Sequence, residues 1–126
     1  MGENEPLEPT PAPQIVRETI ALSTPEQMAE GMFGTLVKAV VDIEEGIMAV
    51  GAEMRADEEA MLLDAGSPQP SLWAINLYPA QFGTPRFIEF DSVINIRPRQ
   101  GNRTRSVDDA AVRAAIASIV ARLVSR

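Results

Sequence analysis

The chain has 126 residues, of which 45% are hydrophobic, and this is enough for one compact domain with a single core. Its formal net charge is -7, and it contains neither cysteine nor histidine. Disulfides, thiolate or imidazole metal sites, cysteine nucleophiles and Ser-His-Asp triads are therefore excluded. The acidic start lacks the regions of a signal peptide, and no stretch has membrane-spanning length, so we expect a cytoplasmic protein.

Charge is divided unevenly along the chain. Residues 1–65 contain fourteen acidic and three basic residues, a net charge of -11, whereas residues 66–126 contain four acidic residues and eight arginines, a net charge of +4. We expect the two halves to attract each other, either within one chain or between two copies of it.

The first residues differ in composition from the rest. Residues 1–13 contain four prolines and three glutamates, and such a segment buries too little apolar surface to offset the entropy of ordering. We interpret residues 1–13 as a flexible acidic, Pro-rich head and residues 14–126 as a single domain.

Hydrophobic periodicity predicts the elements of this domain. Alternating or β-branched runs predict strands at 15–22, 36–43, 47–54, 71–79 and 86–98. Helix signals predict a first helix from a cap at Ser23 or Thr24 to Gly34, a second over 55–66, and a last one of about eighteen residues that begins with a capping box at Ser106 and Asp109. The order β-α-β-β-α-β-β-α predicts an α+β fold, with a mainly antiparallel sheet of four to five strands and helices on one face.

Three sequence blocks resemble a known family. They are "VKAVVDIEEGIMAVGAEMRADEEAMLLDAGS", "LWAINLYP" and "FIEFDSVINIRPRQGNRTRSVDD", with "INLYP" and "FDSVINIRP-QGNR-R" the most specific parts. From about residue 15 onward, the chain is similar to small prokaryotic proteins grouped as a domain of unknown function. The resemblance implies a shared fold and brings no activity, cofactor or catalytic residue. Arg55 stands where we expect a histidine in relatives.

The strand alternation predicts a polar sheet face. If the apolar strand residues face the helices, the two-residue period places polar residues on the other side. These are Lys38, Asp42, Glu53, Asn76, Tyr78, Glu89, Asp91, Asn95 and Arg97. A sheet whose second face meets water shows the same pattern without any function, so both interpretations stay open.

Carboxylates on this face suggest one kind of chemistry. Hard divalent cations take oxygen ligands, and Asp42, Glu53, Glu89 and Asp91 lie on neighbouring predicted strands. With Lys38 or Arg97 to stabilise developing charge, such a site suits metal-assisted phosphodiester hydrolysis, as in a nuclease. No cofactor is otherwise evident, and no complete nuclease motif is present.

The stretch 97–106, "RPRQGNRTRS", gathers four arginines in an acidic protein. One interpretation is that the arginines pair with acids of the first half. Another is an anion site for a phosphate, a nucleotide or an RNA backbone, because Pro98 and Gly101 bend the chain ahead of a helix N-terminus. The candidate ligand-binding residues are Arg97, Arg99, Gln100, Asn102, Arg103 and Arg105.

We therefore expect a non-enzymatic binding or interaction module that uses the polar sheet face and the arginine-rich loop for an anionic ligand or partner. A metal-dependent hydrolase is one alternative. Self-assembly into a homo-oligomer through an exposed strand edge is another, with the acidic half of one chain against the basic half of the next. The sequence indicates no membrane partner.

Overall fold

A computed structural model describes residues 9–126, and the first eight residues of the predicted flexible head lie outside the described residues. The strands are β1 (Gln14–Val16), β2 (Ile20–Ala21), β3 (Val37–Asp42), β4 (Ile47–Val50), β5 (Leu72–Leu77), β6 (Ile88–Glu89) and β7 (Val124–Ser125). The helices are α1 (Ser23–Gly31), α2 (Arg55–Asp64) and α3 (Ala110–Leu123). Within residues 9–126, no helix combines the length and the apolar character that crossing a membrane requires.

The fold is α+β, as predicted. Five antiparallel strands form one sheet in the order β1-β4-β3-β5-β6, and β2 pairs with β7 in a small parallel sheet. Strand β3 is central because its β-branched run pairs along its whole length with β5 and over four residues with β4.

Helices lie on both faces of this sheet, and the expectation that they share one face is corrected here. On the first face, Ala39 and Ile75 join the main core with Met28 of α1 and Ile116 of α3. On the second face, a smaller core contains Leu62 of α2. The strand residues that pack there include Val40, Ala49 and Ala74, whose side chains are small or β-branched. The small side chains allow α2 to approach the sheet closely.

The start of the domain differs from the sequence prediction. The predicted strand 15–22 is two short strands in different sheets, because β1 pairs with β4 whereas β2 pairs with β7. The backbone N–H of Leu22 donates to Ser125 O at 2.7 Å, and the chain passes directly from this pairing into α1. Neither Ser23 nor Thr24 caps the helix, since the N-cap is Leu22 and makes no side-chain bond.

The predicted strand 86–98 is also mostly wrong. Only Ile88–Glu89 is a strand, and 3₁₀ turns follow at Val93–Asn95 and Pro98–Gln100. The carboxamide of Asn95 takes the place of a neighbouring strand: its Oδ1 accepts from Ala74 N, and its Nδ2 donates to Ala74 O, both at 2.9 Å. The Asn95 side chain thereby satisfies the backbone N–H and C=O of Ala74, at a point of β5 beyond the end of β6.

The last helix is shorter than predicted, with fourteen residues. Asp109 is itself the N-cap, and its Oδ1 accepts from Ala111 N at 2.8 Å. The capping box expected from Ser106 to Asp109 is therefore wrong. Helix α3 contributes Ile116, Val120 and Leu123 to the main core, and their spacing places all three on one face of the helix.

Candidate functional site

Three polar side chains form a row across the second face of the sheet. In the strand register, Asn76 on β5 lies opposite Lys38 on β3 and opposite Glu89 on β6. Paired residues of neighbouring strands point to the same face, so the three side chains leave the sheet side by side. The Lys38 ammonium lies 4.6 Å from the centroid of the Phe33 ring. We call Lys38, Asn76 and Glu89 the polar row; all three belong to the predicted polar sheet face.

The carboxamide of Asn76 connects the row to a helix. Its Oδ1 accepts a hydrogen bond from the Arg55 guanidinium, at the first residue of α2, and its Nδ2 donates to Glu89 Oε1 at 2.8 Å. The hydroxyl of Tyr78 donates to the same Glu89 oxygen at 2.9 Å. One amide thus fixes a cation on one side and a carboxylate on the other.

Arg55 is half-buried, and among the described residues its guanidinium lacks a hydrogen-bond partner at one nitrogen and a salt-bridge partner. Burial lowers the pKa of its guanidinium below the ordinary value, while Glu58, which is ionised at the high pH where an arginine titrates, and more distant acids act in the opposite direction. Its Nε is buried without a hydrogen-bond partner, and Arg55 forms no salt bridge within residues 9–126. An arginine nevertheless stays protonated at neutral pH, so Arg55 presents a fixed positive charge.

The nearest acid on the same helix does not neutralise Arg55. Glu58 is fully buried, its Oε2 accepts from Ala52 N at 3.0 Å, and its Oε1 finds no partner in the described part of the chain. Burial raises the pKa of Glu58 to about 9, against the opposing effects of the Ala52 hydrogen bond and of Arg55. Glu58 is therefore protonated and uncharged at neutral pH.

An open pocket adjoins the row at Glu89. Its volume is 370 Å³, and it is lined by Tyr78, Gln81, Arg86, Ile88 and Glu89. Desolvation and the hydrogen bond to Glu89 raise the pKa of Tyr78 above its ordinary value, so its hydroxyl is a proton donor at neutral pH. The pocket has the size of a small-molecule site, with one apolar wall at Ile88.

The edge of the row carries a salt bridge. Arg105 Nε lies 2.5 Å from Asp91 Oδ1, with 52% and 45% of the two side chains exposed. The residues of the row, the pocket, the Arg55 contact and this salt bridge have formal charges that sum to +2: Lys38, Arg55, Arg86 and Arg105 against Glu89 and Asp91. This local positive charge stands out in a chain of net charge -7.

Most of the predicted arginine-rich loop is used to build the fold. Arg97 is buried, lies 4.8 Å from the Trp73 ring centroid, and donates from Nε to Ile94 O at 3.0 Å. Its Nη2 lies 4.0 Å from Glu59 Oε2. Arg97 therefore fits the interpretation of pairing with the acidic half better than the interpretation of ligand binding.

Asn102 organises the rest of this loop. Its Nδ2 donates to the carbonyls of Asn95, Thr104 and Ser106, and its Oδ1 accepts from Asp108 N. The remaining candidates differ in exposure: Gln100 donates to Pro70 O at 3.1 Å, Arg105 joins the Asp91 pair, and Arg99 and Arg103 are exposed.

The four carboxylates predicted as metal ligands are not brought together. Asp42 lies four residues from Lys38 along β3, about 13 Å from the polar row at the usual rise of a strand. Its carboxylate accepts from Ser67 Oγ at 2.6 Å and from Glu44 N at 2.9 Å. Glu53 is exposed between β4 and α2. Residues 9–126 contain no group of three acidic side chains that could hold a metal ion.

The resemblance drew attention to position 55, but neither Arg55 nor Glu58 was among the predicted site residues. Both lie on α2, which was expected on the opposite side of the sheet. One signal was available: a cation at the first residue of a helix is unfavourable next to the helix dipole, and Arg55 occupies that position. An unfavourable placement of this kind often indicates a function.

Comparison with known families agrees with the resemblance seen in the sequence. Residues 14–123 match the family model described as "Protein of unknown function (DUF5674)". The chain belongs to the DUF5674 family. No curated protein and no solved structure matches it. The polar row, its pocket and the whole of α2 lie within the matched residues of this DUF5674 member.

Proposed function

We propose that this domain binds a small anionic molecule at the polar row, with Arg55 and Lys38 as the anion-binding groups. The observation that carries this proposal is the arrangement at Arg55. A half-buried guanidinium is fixed by Asn76, while the acid beside it on the helix, Glu58, is buried and protonated. A carboxylate or phosphate group supplies the missing negative charge.

The surroundings of Arg55 support this proposal in two further ways. The row and pocket have a net positive charge, which concentrates anions locally in an otherwise acidic protein. The adjoining pocket of 370 Å³ offers space for the body of a small molecule. In the arginine-rich loop, Arg105 reaches this region through Asp91, whereas Arg99 and Arg103 remain as exposed residues.

The test is a calorimetric and NMR titration of the full chain at low salt with phosphate, acetate and small organic acids. Arg55→Gln removes the charge and keeps hydrogen-bonding capacity, and we expect it to weaken binding by at least about tenfold, the usual value of a charged hydrogen bond. Arg99→Gln removes one positive charge from the exposed loop and is the matched control, with affinity expected to stay within about twofold.

Two results would contradict the proposal. One is unchanged affinity in Arg55→Gln with the fold intact by NMR. The other is saturable shifts on titration with phosphate or a short RNA that are confined to Arg99 and Arg103, because these would locate anion binding on the arginine-rich loop instead of the polar row.

A further inference from the structure

The polar row holds opposite charges apart. Arg55 and Glu89 bind the two ends of the same Asn76 carboxamide, yet no salt bridge forms between them. Because an intervening amide prevents direct pairing, each charge keeps unused capacity for an external partner. The row therefore presents a cation and an anion at a fixed short separation.

Glu89 has an oxygen available for such a partner. Its Oε1 receives both internal hydrogen bonds, from Asn76 and from Tyr78, and these orient the carboxylate. Its Oε2 accepts no hydrogen bond from residues 9–126, and the side chain is exposed. An oriented carboxylate with a free oxygen at the mouth of a pocket is suited to an ammonium group.

We infer that the ligand is an amine-bearing acid of the α-amino acid class. Its carboxylate binds Arg55 and Lys38, its ammonium group binds Glu89 Oε2, and its side chain enters the pocket beside Ile88. This inference rests on the proposed function and adds to it the recognition of the amine. Net charge alone predicts the opposite preference, because a site of charge +2 attracts a simple anion more strongly than a zwitterion.

The experiment compares each amino acid with the same acid without its amine. L-leucine is titrated against isocaproate and L-glutamate against glutarate, by calorimetry, into the wild type, Glu89→Gln and Arg55→Gln. We expect the wild type to favour the amine-bearing acids by about tenfold. Glu89→Gln should abolish this preference, and because it removes a negative charge from the site, isocaproate and glutarate should bind the variant at least as tightly as the wild type. Arg55→Gln should weaken all four.

A second variant guards against indirect effects of Glu89→Gln. Tyr78→Phe removes the hydroxyl that donates to Glu89 and, as a change at a positioning residue, should reduce the amine preference by severalfold. Because Tyr78 also lines the pocket, the ratio of L-leucine to isocaproate affinity is the readout, since a change in the shared pocket acts on both ligands. Equal binding of each pair by the wild type, or a preference that survives Glu89→Gln, overturns this inference and leaves the proposed function standing. Absence of binding by every anion, phosphate included, overturns both.

Discussion

The buried carboxyl of Glu58 makes the stability of the protein depend on pH in an unusual direction. Its pKa rises from 4.5 to about 9 on folding. At about 1.4 kcal/mol per pH unit, this shift lowers the free energy of unfolding by about 6 kcal/mol between acid and alkaline pH. Between these two pKa values, the folded protein holds a proton that the unfolded chain has released. The contribution of Glu58 to the free energy of unfolding is therefore greatest below pH 4.5 and falls as the pH rises towards 9.

Glu58→Gln isolates this effect because an amide stays neutral at every pH. From pH 5 to pH 8 we expect the free energy of unfolding of the wild type to fall by about 4 kcal/mol relative to that of the variant. Urea denaturation at pH 5, 6.5 and 8 measures this difference. The variant itself should be less stable than the wild type at pH 5, since its NH2 group enters a buried position where Glu58 Oε1 has no partner in the described chain.

An exposed acid nearby provides the control. Glu53→Gln should give a curve of stability against pH parallel to that of the wild type. If the curves of the wild type and Glu58→Gln were parallel over this range, Glu58 would be ionised in the folded protein. Arg55 would then have an ionised acid beside it on α2, and no external anion would be needed to balance its charge.

Three further predictions concern the fold and are measured by urea denaturation at pH 7. Asn102→Ala removes four hydrogen bonds from a buried position and should cost about 3 kcal/mol, whereas Arg103→Ala next to it should change stability by less than about 0.5 kcal/mol. Gly51→Ala should cost more than Gly34→Ala: both have positive φ, but only at Gly51 does a Cβ meet the buried Met28 side chain, at 2.7 Å. Met28→Ala should cost about 2 to 5 kcal/mol through the cavity it leaves in the main core. A loss below about 1 kcal/mol in Asn102→Ala or Met28→Ala, or equal losses at the two glycines, would contradict these expectations.

Much of the sheet was predictable because strand periodicity is a local property. The alternation of apolar residues in 36–43 and 71–79 placed Lys38 and Asn76 on one face, and their register brings them opposite each other. The segment 86–98 shows the limit of that reasoning. It alternates like a strand, but it ends after Glu89 because the carboxamide of Asn95 bonds to Ala74 in place of further backbone pairing. Nothing in a local pattern distinguishes an asparagine that replaces a strand from one that points to solvent.

The side of the sheet on which a helix packs is not a local property either. The residues of α2 predicted a helix but not the face of the sheet on which it packs, so Arg55 and Glu58 could not be connected with Asn76 in advance. The strand residues beneath α2 partly indicated which part of the second face a helix covers. On the second face, β3 changes from Val40 to Lys38 and β5 from Ala74 to Asn76, each over one two-residue step.

That change from small or apolar to polar residues lies where α2 no longer packs against the sheet. In this region the protein retains groups that weaken its stability, since Glu58 is buried with an unpartnered oxygen and Arg55 has a buried, unpartnered Nε within the described chain. Each such atom costs about 1 to 3 kcal/mol. Folding alone favours an apolar residue at Glu58 and a helix former without charge at Arg55. Neither position follows that preference and both adjoin the polar row and its pocket, an arrangement that supports the proposed binding of a ligand there.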